Sequence, residues 1–104
     1  MDETVLHNYE PNELLNNIRI SNVNRLIIGQ LNINSLRNKI EALKTIIRGK
    51  IDILVITETK LDDTFPTNQF SIDGFSMPFR LDREGGGGGG VIIYVREDIP
   101  CREN

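Results

Sequence analysis

Asn32 and Glu58 are of a type, and at a spacing, that could do chemistry together. Each closes an apolar run, and each offers a hard oxygen atom. Magnesium takes oxygen ligands, keeps several waters, and is usually held by one or two carboxylates together with substrate phosphate. One glutamate and one asparagine carbonyl would make a sparse site of that kind, completed by phosphate. A glutamate at a strand end is more often a solvated or capping residue, so the pair alone suggests a metal without establishing one. No serine–histidine–aspartate or cysteine–histidine arrangement competes with it. His7 is the single histidine and Cys101 the single cysteine, at opposite ends of the chain. Zinc has no ligand set for the same reason.

The elements that must position this pair run from Leu26 to Glu58. Leu26, Ile27, Ile28 and Leu31 form an apolar run without strict alternation, which predicts a strand covered on both faces. Gly29 allows close backbone approach there. Ser35 is placed to cap a helix. Leu36, Ile40, Leu43 and Ile47 then recur on one stripe, widened by Ile46, with Arg37, Lys39, Glu41, Lys44 and Arg48 mostly on the other side. Gly49 suits the helix end. Ile53 to Ile56 predicts a second buried strand. Strand, helix and strand make a crossover unit with parallel strands, and ligands gather at the carboxyl ends of such strands.

The remainder is less patterned. Residues 1–24 are rich in asparagine and predict a poorly ordered leader, with a turn or two of helix after Pro11. Lys60 to Gly74 reads as a surface loop tucked down by Phe65, Phe70 and Ile72. Phe75 to Leu81 and Val91 to Val95 predict a hairpin-like pair of strands, joined by a flexible connection at Gly85 to Gly90. The six glycines do not form a nucleotide-binding loop, because no Gly-Lys-Ser/Thr follows and they open a strand instead of a helix. Arg80, Asp82 and Arg83 read as a salt-linked turn or as a contact to a phosphate backbone. The first is the default, since exposed ion pairs are common and contribute little.

With 104 residues, of which 38 % are hydrophobic and 26 % charged, the chain is one small domain or part of a larger one. No apolar run approaches the roughly 20 residues of a membrane span. The opening MDETVLHNYE lacks the basic and apolar regions of a signal peptide. A lone cysteine fits a reducing compartment, so an intracellular protein of the cytosol or nucleus is expected. The net charge of −3 disfavours a protein that coats nucleic acid through a basic face. It does not disfavour an enzyme that meets phosphate through a divalent ion.

Three blocks in this order, LNINSLRNKIEAL, DILVITETKLDD and FRLDREGGGGGGVIIYVREDIP, resemble the endonuclease/exonuclease/phosphatase superfamily. Within it they are most similar to the N-terminal endonuclease domain of non-LTR retrotransposon polyproteins, over roughly Leu26 to Pro100. The resemblance implies an α/β fold, a four-layered sandwich of the DNase I-like type, and cleavage of phosphodiester bonds with Mg2+ or Mn2+. It assigns Asn32 to the catalytic site and Glu58 to the metal, and places Asn34, Arg80 and Arg83 near DNA. The implied partners are DNA, nicked on one strand, and a downstream reverse transcriptase. The family's Asp-x-Asn pair and its C-terminal Asp-His pair have no counterpart here, so residues 25–104 are expected to be the N-terminal half of such a domain. Half a sandwich leaves strand edges unpaired and a sheet face bare, which predicts a marginally stable chain, inactive alone. Two other readings stay open. One is a truncated or decayed gene product without chemistry that folds only with a partner. The other keeps the fold but acts on a phosphoester in RNA, lipid or inositol.

Overall fold

The computed structural model describes residues 11–83 and 88–100. His7, Cys101 and the expectation for residues 1–10 lie outside them. The elements are α1 (Pro11–Ser21), β1 (Ile28–Asn32), α2 (Ile40–Ile47), β2 (Ile53–Thr57), β3 (Phe79–Leu81) and β4 (Val91–Val95). A 3-10 turn covers Thr67–Phe70.

The four strands make one sheet in the order β1-β2-β4-β3. β1 and β2 are parallel, with Ile28 opposite Ile53 and Asn32 opposite Thr57, as a crossover through a helix requires. β4 lies antiparallel between β2 and β3. The strand–helix–strand unit and the β3–β4 pair therefore form as the sequence predicts.

One face of the sheet builds the core. Leu54 and Ile56 of β2 and Ile92 and Tyr94 of β4 are buried against Ile40, Leu43 and Ile47 of α2 and against Phe70, Ile72 and Phe75. Each such side chain contributes about 2 kcal/mol by leaving water. The Tyr94 hydroxyl donates to the Phe70 carbonyl, which ties the 60–75 loop to the sheet. Burial pushes the Tyr94 phenol well above its ordinary value, so it stays a donor.

Three expectations need correction. β1 and β2 are not covered on both faces: β1 is an edge strand with Ile28 65 % exposed, and Ile53 and Val55 are only half-buried. An apolar run on both alternations shows that a face is suited to cover, not that this chain supplies the cover. Ser35 does not cap a helix. α2 begins at Ile40 with Lys39 in the cap position, because the Ser35 N–H is taken by the Glu58 carbonyl just past β2. Leu36 is nevertheless fully buried. Lastly, the helix after Pro11 runs 11 residues instead of a turn or two, and Leu15 packs against the core.

α1 is fixed by charge. Asp52, only 1 % exposed, sits just before β2. Its Oδ2 accepts the Ile27 N–H at 2.7 Å. Its Oδ1 accepts from Arg19 of α1 at 2.8 Å and from Arg96 beyond β4. Burial by itself would raise the Asp52 carboxyl, but the Ile27 N–H, Arg19 and Arg96 outweigh it and hold the group below its ordinary value of 3.8. A carboxyl depressed by folding stabilises the fold above its unfolded value and loses that contribution as pH falls through the folded one. Asp52→Asn should therefore flatten the loss of stability seen on acidification below about pH 4. Asp52→Ala should cost about 3 kcal/mol at neutral pH, because it strands two arginines and an N–H. Urea unfolding of both variants across that range is the measurement.

Candidate active site

β1 and β2 stay laced together after they stop being strands. The Ile33 N–H donates to the Thr57 carbonyl at 3.1 Å, Ser35 N–H to Glu58 at 2.9 Å and Leu36 N–H to Thr59 at 3.0 Å. To make these bonds the two exit loops turn sharply. Asn34, Ser35, Glu58 and Lys60 have φ of 48°, 88°, 57° and 56°. They are the non-glycine residues of positive φ among the described residues, and all four lie at this one end of the sheet. Backbone held in so sparsely populated a region carries strain, and such residues cluster at functional sites.

The structure thus gathers Asn32, Asn34 and Glu58 at the carboxyl ends of two adjacent strands. Asn32 is exposed, opposite Thr57, and borders an open cavity of about 320 Å3 lined also by Leu31, Ile33, Lys39 and Leu43. Glu58 is half-buried, and its Oε2 accepts the Gly89 N–H at 3.2 Å. The Asn34 side-chain oxygen accepts from the Lys60 ammonium. Lys39 reaches back from the start of α2 to the carbonyls of Ile33, at 2.6 Å, and Asn34, at 3.1 Å. Two cations therefore flank the asparagines, although the chain is acidic overall.

Arg80 and Arg83 fare differently. Arg80 forks onto Asp82, with contacts of 2.8 and 2.7 Å. It also donates to the carbonyls of Asp62 and Phe65. Its link to Asp82 raises the guanidinium further above its ordinary value. Within this structure Arg80 braces the 62–67 loop, and of the two readings of that stretch the salt-linked turn is the one formed. Asp62 is exposed on the same loop and is held below the ordinary carboxylate range by the hydroxyl and amide of Thr64. Arg83 is exposed, and its stem lies against Gly89.

Three contributors were not legible in the sequence: Lys39, Lys60 and Gly89. Periodicity assigns Lys39 to a solvated helix face and Lys60 to a loop. Gly89 meets Glu58 only because β4 pairs with β2.

The donor set suits a hard divalent ion, with a carboxylate and a carboxamide oxygen at one strand end. Among the described residues no three acidic, histidine or cysteine side chains gather. Such an ion would take its other ligands from water and phosphate.

No protein-family model and no curated protein matches the sequence. Among solved structures the chain is similar to the 3′ phosphatase NExo from Neisseria, bound to a product DNA hairpin. The two share 26 % identity at a TM-score of 0.58, over 71 % of this chain and 30 % of that one. The chain has the α/β fold of the endonuclease/exonuclease/phosphatase superfamily. This chain spans less than a third of the length of that superfamily structure. Among the described residues no helix is long and apolar enough to cross a membrane.

The Arg80 network gives a direct test of its role in this fold. Arg80→Lys keeps the charge but loses the fork. It should cost about 1–2 kcal/mol and speed amide exchange across residues 62–67. Exchange rates equal to wild type there would show that the brace is dispensable.

Proposed function

We propose that this chain carries part of the active site of a Mg2+-dependent phosphodiesterase, a DNA endonuclease of the retroelement type that nicks one strand. The observation that carries the reading is Glu58. Among the described residues it is the carboxylate at the carboxyl ends of the parallel pair, held in a strained and laced loop, in a fold shared with an enzyme solved on DNA. The order of the LNINSL, ITETK and RLDREGGGGGG blocks supports the retroelement assignment over a lipid or inositol substrate.

In this reading Glu58 holds the ion, with Asn32 as its neutral neighbour. A bound Mg2+ supplies charge neutralisation at the scissile phosphate and polarises it. The Gly89 N–H engages Glu58 Oε2, so Oε1, for which no hydrogen bond is formed among the described residues, would be the oxygen left to hold an ion. Asn32 is exposed and can meet substrate without rearrangement. Lys60 and Lys39 offset phosphate charge from the Asn34 side.

One carboxylate and one carboxamide leave most positions of an octahedral ion to water, so the chain alone is expected to bind Mg2+ weakly and to leave supercoiled plasmid intact. A product extended along the same reading frame should nick the plasmid, with Glu58→Ala slowing it by about a hundredfold or more, the scale of losing one electrostatic stabiliser. Robust nicking by the 104-residue chain, lost in Glu58→Ala, would overturn the claim that it is inactive alone. An extended product indifferent to Glu58→Ala would overturn the assignment of the site.

A further inference from the structure

The last three glycines of the run, Gly88, Gly89 and Gly90, have φ of 135°, 73° and 93°, which residues with a side chain rarely adopt. They are held along the loop that carries Glu58. The Gly90 carbonyl accepts the Thr59 N–H at 3.4 Å, and the Gly89 carbonyl accepts the Lys60 N–H at 2.9 Å. The Gly89 N–H turns the other way, onto Glu58 Oε2 at 3.2 Å. Gly89 thus spends its donor on the glutamate side chain and its acceptor on the backbone two residues beyond.

At Gly90 there is no room for anything but glycine. A Cβ on Gly90 would fall 2.4 Å from Thr59 Oγ1. Thr59 is completely buried, and its hydroxyl has no hydrogen-bond partner among the described residues. It therefore cannot swing aside into solvent. A Cβ on Gly89 would fall 2.8 Å from Arg83 Cδ, a contact that an exposed side chain can relieve. Gly74 supplies the contrast. Its φ is 89°, close to that of Gly90, yet nothing lies within 4 Å of where its Cβ would stand. Gly74 answers a backbone requirement alone, whereas Gly90 also answers the packing of the residue beside Glu58.

We infer that Gly89 and Gly90 are positioning residues for Glu58: the closing end of the glycine run is a main-chain clamp that fixes the carboxylate by one oxygen and presents the other to a divalent ion. The inference rests on the phosphodiesterase reading for the ion, and on the contacts above for the clamp. A long side chain that must be ordered on binding weakens a site, and hydrogen bonds to the ligand's second atom remove that cost in advance. The closing end of the run thus does meet an anion, the chain's own glutamate, through the Gly89 N–H.

The test uses the full 104-residue chain. Amide exchange of Gly89 should be slow in wild type and about tenfold faster in Glu58→Ala, where its acceptor is gone. An unchanged Gly89 amide overturns the clamp without any glycine variant having to fold. Mn2+ binding, followed by calorimetry, should weaken about 10- to 100-fold in Gly90→Ala, the usual effect of losing a group that orients a ligand. Gly74→Ala should bind as wild type does, since it carries similar backbone strain and displaces nothing. Equal weakening in both variants overturns the proposal, because strain alone would then account for it. If the Gly89 amide depends on Glu58 while neither this chain nor its extended product takes up Mn2+, the clamp stands and the phosphodiesterase reading falls.

Discussion

The Asp52 carboxylate is the fixed point of this structure. Arg19 comes from α1, the Ile27 N–H from the lead-in to β1, and Arg96 from the chain leaving β4. Main-chain bonds run beside them, from Asp52 N–H to Ile27 and from Arg96 N–H to Asp52. A buried carboxylate is tolerated only when its oxygens are fully engaged, and here its donors come from three separate segments. The arrangement matters because among the described residues no second layer covers one sheet face, so packing within them does not hold the edge strand β1. All of these groups lie at the starting end of the parallel pair. The opposite end is left to be shaped by its loops.

At that opposite end the order comes from backbone, not from charge. The loops leaving β1 and β2 trade hydrogen bonds with each other and with the glycines that precede β4, at the cost of four residues in the left-handed region. The strain is affordable because the alternative, unpaired N–H and carbonyl groups in a half-buried turn, costs as much or more. The result is a glutamate whose main chain is fixed on both sides and whose side chain is held by a single N–H. Flanking ammonium groups from Lys39 and Lys60 make the neighbourhood locally positive in a chain of net charge −3. A total charge says little about a site of this size.

What could be read from the sequence was whatever depends on short-range pattern. The stripe of Ile40, Leu43 and Ile47 fixes α2, and its placement between two β-branched runs fixes a parallel pair ending in Asn32 and Glu58. Phe70 and Ile72 in a polar loop indicate a loop that packs down, and both are buried. What could not be read depends on partners far apart in the chain. No short-range pattern marks Asp52, whose partners Arg19 and Arg96 lie far from it in the chain. Ser35 has the chemistry of a cap, but its N–H is claimed by Glu58, and the helix starts four residues after the stripe begins at Leu36. Arg80 reads by default as part of a salt-linked turn and otherwise as a phosphate contact, and only the positions of Asp62, Phe65 and Asp82 decide between the two in this structure.

The bare sheet face and the sparse site have one geometric cause. Side chains alternate along a strand, so Asn32 shares its face with Gln30 and Ile28, and its neighbours across the sheet are Thr57, Val91 and Leu81. This is the face opposite the core, where Ile28 and Leu81 are 65 % and 74 % exposed. Any layer that covered Ile53, Val55 and Ile93 would also come up against the row containing Asn32. Cover for the apolar face and additional ligands for the site would then arrive together, on one surface. The half-buried apolar row of Ile53, Val55 and Ile93 and the row that carries Asn32 thus lie on one surface, and a layer that docked there would be repelled by Val55→Lys, which should leave the Asp52 anchor and the helix-packed core untouched.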